Sequence, residues 1–134
     1  MAVLAVTDTH ALLWYAEKQW RKLGREARRV FEQVTDGDGA IFVPALVMAE
    51  LSEAMHSGDW VAPGGFVNWG NRLFSSGRFF HVDLTWHIVQ RAEELFGIPE
   101  RGDRLIAATA LELGYPLITR DPEIAAVAEL ELIW

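Results

Sequence analysis

The chain contains no cysteine. That excludes disulfides, thiolate zinc sites and thiol nucleophiles together, and it fits a reducing compartment. No apolar run reaches the roughly 18 residues that a membrane span needs. The start, MAVLAVTDTH, has no basic segment ahead of an apolar one, so we expect no signal peptide and a cytoplasmic protein without a membrane partner. There is no low-complexity tract and no internal repeat. Lysine ends early, at Lys22. Positive charge is also short overall: the net charge is −7. A nucleic-acid binder is usually basic, because phosphate contacts dominate its affinity. Either nucleic acid is not the partner, or the acids are gathered in one place and cations neutralise them.

What the chain does have is a core. Of its 134 residues, 51% are apolar and 23% are charged, enough to bury an interior in one domain spanning residues 1–134. Residues 2–7, 40–43 and 115–119 read as buried strands, being short, apolar and rich in β-branched residues. Residues 78–84 read as a weaker strand and residues 130–134 as the last strand. Helices are expected over 10–17, 24–35, from Pro44 to about Gly58, over 66–74, over 85–96 with Thr85 as N-cap, and over 103–113 closed by Gly114. A helical turn is expected over 122–128, and DWVAPGG, residues 59–65, reads as a loop. Strands alternate with helices, and the strands are unbroken apolar runs. That pattern predicts an α/β fold with a parallel sheet covered on both faces. Ligands of such sheets bind beyond the carboxyl ends of the strands.

Two strands end on a carboxylate. AVLAVTD, residues 2–8, ends on Asp8, and LITRD, residues 117–121, ends on Asp121. Two further acids have unusual settings. Glu50 lies among apolar residues in PALVMAELSEAM, and Asp103 opens DRLIAATALELG. Each acid has an ordinary reading: Asp8 and Asp103 as helix caps, Asp121 as a turn residue before Pro122, Glu50 as a surface helix residue. The readings are linked, because all four fall near one sheet edge. Two carboxylates about 4 Å apart repel by ~4 kcal/mol at an effective dielectric near 20. Three or four together need shared protons or a cation. All-oxygen ligands select hard divalent ions, Mg²⁺ or Mn²⁺, and the chemistry such ions support is phosphodiester hydrolysis.

The set Asp8-Thr9, Glu50, DRLIAATA at 103–110 and Thr119-Arg120-Asp121 resembles the PIN-domain nucleases. It is most similar to the VapC-type toxin ribonucleases of toxin–antitoxin pairs, both in VTDTHALLW and in GDRLIAATALELGYPLITRD. The resemblance covers nearly the whole chain and is thinnest over residues 54–98. It implies a three-layer α/β/α sandwich and an acidic quartet, Asp8, Glu50, Asp103 and Asp121, holding Mg²⁺ or Mn²⁺. It implies that Thr9 and Thr119 orient those acids. It also implies an RNA substrate, a cognate VapB-like antitoxin and a homodimer. The family often shows an aromatic soon after the fourth acid; here the residues are Pro122, Glu123 and Ile124, which leaves Glu123 as an open candidate.

Other residues carry weaker signals. His10 reads as a structural residue near the site, and His56, His81 and His87 have no ligand spacing. Trp14, Trp20, Trp60 and Trp69 pack a core or interface, or else stack on bases. RKLGREARR, residues 21–29, is a solvated helix face or a phosphate-facing patch. Arg104 and Arg120 each adjoin a site acid, and either pair with it or meet phosphate. Two other classes compete. A receiver-like phosphoacceptor needs an acid pair after the first strand and a late lysine, and has neither here. A non-catalytic PIN-like module that binds RNA or protein keeps the fold without the reaction.

Overall fold

The computed structural model describes residues 1–134, apart from the side chain of Val127. The apolar runs become five strands: β1 (Val3–Thr7), β2 (Gly39–Pro44), β3 (Phe79–Val82), β4 (Leu117–Ile118) and β5 (Leu132–Ile133). Seven helices join them: α1 (Thr9–Ala16), α2 (Arg25–Thr35), α3 (Ala45–His56), α4 (Phe66–Ser75), α5 (Trp86–Ala92), α6 (Arg101–Leu113) and α7 (Pro122–Val127). All strand pairs are parallel, in the order β3-β2-β1-β4-β5.

That order fixes where function can sit. The chain runs outward from β1 through β2 to β3, then crosses back to β4 and on to β5. Right-handed crossovers in opposite directions put their helices on opposite faces, which accounts for strands apolar on both sides. The reversal falls between β1 and β4, whose registers pair Val6 with Leu117 and Thr7 with Ile118. A crevice opens at such a switch point, above the carboxyl ends of the two strands. Asp8 follows β1 directly, and Asp121 follows β4 by three residues.

The core grows from this sheet. Ala5, Val6, Ile41, Val43, Leu117 and Ile118 are wholly buried within it. The helix α2 shows how patterning places a helix. Ala27, Val30, Phe31 and Val34 fall on one stripe and are buried, while Arg25, Glu26, Arg28 and Arg29 face solvent. Burying a side chain such as Phe31 contributes about 1.5–3 kcal/mol, and its ring stacks on Tyr15 at 4.5 Å between centroids. Among the described residues no buried side-chain nitrogen or oxygen lacks a partner; Trp60, for example, donates its indole N–H to the Leu51 carbonyl at 2.8 Å.

Three sequence expectations change. Pro44 does not sit in the first turn of α3; it ends β2 and caps the helix with extended backbone. The helix expected over 85–96 stops at Ala92 and continues as a 3-10 turn over Glu93–Leu95, although Thr85 does cap it, accepting from the Ile88 N–H. The helix α6 starts at Arg101 rather than Asp103, and this shift reassigns two acids below.

Candidate active site

Asp8 is placed twice. Its backbone N–H donates to the Ile118 carbonyl at 3.1 Å, which ties the end of β1 to β4. Its carboxylate accepts from the Ala11 N–H at 2.8 Å and caps α1. Burial pushes its pKa up, while the Thr119 hydroxyl, the Ala11 N–H and the nearby charges of His10 and Arg120 pull it back. The capping reading is correct for Asp8, and it leaves the carboxylate facing the crevice rather than removing it from there.

Glu50 reaches the same crevice from α3. Its Oε1 accepts from the Thr9 hydroxyl, so the residue after Asp8 holds the second acid. Its other oxygen lies beside α6, where a Cβ built on Gly102 would stand 2.6 Å from Glu50 Oε2 and 3.2 Å from both oxygens of Glu100. Only glycine lets these two carboxylates approach the first turn of the helix together.

Asp103 is not the helix cap. Glu100 is: its carboxylate accepts from the N–H groups of Gly102 at 3.0 Å and Asp103 at 2.6 Å. Asp103 therefore sits at the third helical position, its carboxylate spared from capping. Its pKa rises from 3.8 to about 6, first through burial and then through repulsion by Glu100, Asp121, Asp8 and Glu50. Four carboxylates thus act on a fifth. Glu100 itself is pushed up by burial, but the N–H groups of Asp103 and Gly102 outweigh that and leave its pKa below the usual value. Sequence reasoning missed Glu100. The available signal was Ile98-Pro99-Glu100, an acid directly after a proline at the edge of an apolar helical pattern.

Asp121 caps α7, accepting from the Glu123 N–H at 2.9 Å. Its own N–H donates to the Thr119 hydroxyl at 3.3 Å. Thr119 is buried and stands between the acids of the two strand ends. Glu123 is exposed and lies outside the lining of the crevice.

Asp8, Glu50, Asp103 and Asp121, with Thr9 and Thr119, line a single cleft of about 560 Å³. The donor chemistry suits a hard divalent cation: all-oxygen, like-charged and with two of the acids held above their ordinary pKa. Two of the four, Asp8 and Asp121, also cap helices. Among the described residues no three histidine or acidic side chains already converge at ligand distance.

The basic residues divide. Arg104 pairs with no site acid: its guanidinium lies 4.1 Å from the Phe96 ring centroid and donates to the Ile98 carbonyl at 3.0 Å. Arg120 lines the cleft, 4.9 Å from the Trp14 ring centroid. In residues 21–29, Arg28 pairs with Glu32 at 2.7 Å and Arg29 with Glu26 at 3.4 Å, the pattern of a solvated helix face. His10 lies at the cleft mouth, 5.3 Å from Trp14, and His81 stands 3.6 Å from Asp83 at the surface.

The model of the PIN domain family matches residues 5–130. Three solved structures share the fold at low identity. One is VapBC2 from Rickettsia felis bound to a DNA fragment from its promoter, at a TM-score of 0.72 and 17% identity, covering 97% of each chain. A second is DNA-bound VapBC from Salmonella typhimurium, at 0.68 and 15%, covering 98% of this chain and 97% of that one. The third is VapBC-1 from nontypeable Haemophilus influenzae, at 0.65 and 20%, covering 97% and 96%. No curated protein matches the chain by sequence. Among the described residues no helix is long and apolar enough to cross a membrane.

Proposed function

Since this chain belongs to the PIN-domain family, we propose that it is a metal-dependent endoribonuclease and the toxin of a type II toxin–antitoxin pair. The observation that carries this reading is the convergence of Asp8, Glu50, Asp103 and Asp121 on one cleft at the switch point of the sheet. The repulsion of Asp103 by the other acids marks the charge that a bound Mg²⁺ or Mn²⁺ would neutralise. Such an ion polarises phosphoryl oxygens and lowers the pKa of water.

The chain's own groups do the rest. Asp8, Asp103 and Asp121 would hold the cation, and Glu50 would complete the site as a ligand or by orienting the attacking water. Thr9 fixes Glu50 through its hydroxyl, and Thr119 fixes the strand-end acids. Glu100 anchors the first turn of α6 and so sets the position of Asp103. Water would attack phosphorus in line, giving its proton to a cleft carboxylate, as the opposite P–O bond breaks and the departing oxygen takes up a proton. A VapB-like antitoxin covering the cleft, a homodimer and a cytoplasmic location complete the reading; the VapBC complexes of the same fold support the antitoxin. The service of Asp8 and Asp121 as caps favours a second reading, a binding module without catalysis.

The test is cleavage of total RNA by purified protein in Mn²⁺ or in EDTA, beside Asp8→Asn and Asp103→Asn. Discrete products that require the ion and both aspartates are expected. Equal cleavage by the variants would refute the assignment, and RNA binding without cleavage would favour the module.

A further inference from the structure

The cleft is charged almost entirely in one sense. Among the described residues, seven carboxylates line it against one permanent cation, Arg120. A bound divalent ion offsets only part of that, and a polyanionic strand entering the cleft still meets Glu53 and Asp59 on the α3 side. The strand needs a positive contact, and the chain offers one.

Arg120 is exposed and stands next to Asp121 at the end of β4. Among the described residues it forms no ion pair within 4.0 Å and no side-chain hydrogen bond, although acids surround it. Instead its guanidinium rests 4.9 Å from the centroid of Trp14. Trp14 is only 8% exposed and is held edge-on by Trp134 at 5.9 Å. Trp134 is held in turn: its carbonyl accepts from the Glu26 N–H at 2.9 Å, and a Cβ on Gly24 would overlap its ring. The platform under Arg120 is therefore rigid, while its N–H donors remain free. A planar fork held over an aromatic ring is already ordered for bidentate contact with phosphate. Arg104 is the internal contrast, because its donors are spent on the carbonyls of Ile98 and Pro99.

We infer that Arg120, preorganised on Trp14, grips an RNA phosphate next to the scissile one and sets the path of the strand through the cleft. The inference rests on the nuclease reading for the identity of the strand. Arg120 is a substrate-binding residue here, with its effect in affinity rather than in the chemical step.

The experiment measures binding of a short fluorescently labelled single-stranded RNA across a salt series. Ca²⁺ replaces Mn²⁺ to hold the acids without supporting rapid cleavage. Arg120→Met keeps an apolar chain over Trp14 and removes the charge. It is expected to weaken binding about 10- to 100-fold, as for a lost charged hydrogen bond, and to lower the slope of log affinity on log salt by about 1. Arg120→Lys should restore most of the slope but not all of the affinity. Arg28→Met, on the solvated face of α2, should change neither. In Mn²⁺ cleavage, Arg120→Met should raise KM and leave kcat nearly unchanged. Wild-type affinity and slope in Arg120→Met would overturn the inference, as would an absence of RNA binding by the wild type. Arg120-dependent binding with no cleavage in Mn²⁺ would uphold Arg120 as the phosphate contact and sink the nuclease reading instead.

Discussion

The basic face of α2 and the acidic cleft contrast in how their charges are met. On α2, Arg28 and Arg29 find Glu32 and Glu26 one turn away, in full contact with water. Exposed pairs of this kind contribute no more than about 1 kcal/mol, and nothing in the structure depends on them. In the cleft, carboxylates from the ends of β1 and β4 and from α3 and α6 share one space without an ion pair, and burial sharpens the conflict at Asp103. A run of like charge along the sequence resolved itself locally. Four acids scattered over more than a hundred positions did not, because the sheet edge brought them together after local structure had formed. Unresolved charge, rather than the amount of charge, separates a site from a surface.

The contrast can be broken from the side of geometry first. Gly102→Ala places a Cβ 2.6 Å from Glu50 Oε2, so one of the two carboxylates must move. We expect RNA cleavage to fall about 10- to 100-fold, as when a positioning group around a metal site is lost. Thermal unfolding should change little, and kcat measured in Mn²⁺ checks the claim.

A smaller effect follows from charge. The Asp103 carboxyl has its pKa raised from 3.8 to about 6 in the folded state. Folding therefore favours its protonated form, and the stability this supplies at low pH is lost as pH rises from about 4 through about 6. Asp103→Asn removes that loss. After allowance for solvent screening of a half-exposed group, the variant should be more stable than wild type by up to about 1 kcal/mol at neutral pH. The advantage should vanish below about pH 4. Denaturant unfolding at several pH values would read it, and a variant less stable than wild type at neutral pH would contradict the account. The smallest effect belongs to α2: Arg29→Ala should alter stability by less than about 0.5 kcal/mol and leave RNA cleavage within experimental scatter.

The sequence made some of this legible for physical reasons. The apolar runs that end at Asp8 and at Asp121 carried the parallel sheet and its functional edge, since burial on both faces leaves no other pattern. The ordinary reading of Asp103 as a cap arises because aspartate is a preferred capping residue and glutamate is not; Glu100 takes that role from one turn earlier. The short β4 and β5 ladders, two residues each, are set by pairing across the sheet, which local pattern does not encode. Arg104 and Arg120 looked equivalent, each beside a site acid. Only tertiary packing, Phe96 beside one and Trp14 beside the other, divides them.

The most direct test of the cleft as a divalent-cation site is calorimetric titration of Mn²⁺ into wild type and Asp103→Asn, repeated below and above pH 6. The account predicts saturable binding by the wild type that tightens as pH rises and Asp103 gives up its proton, with loss of that binding in the variant. Equal, weak and pH-independent uptake by both proteins would contradict it.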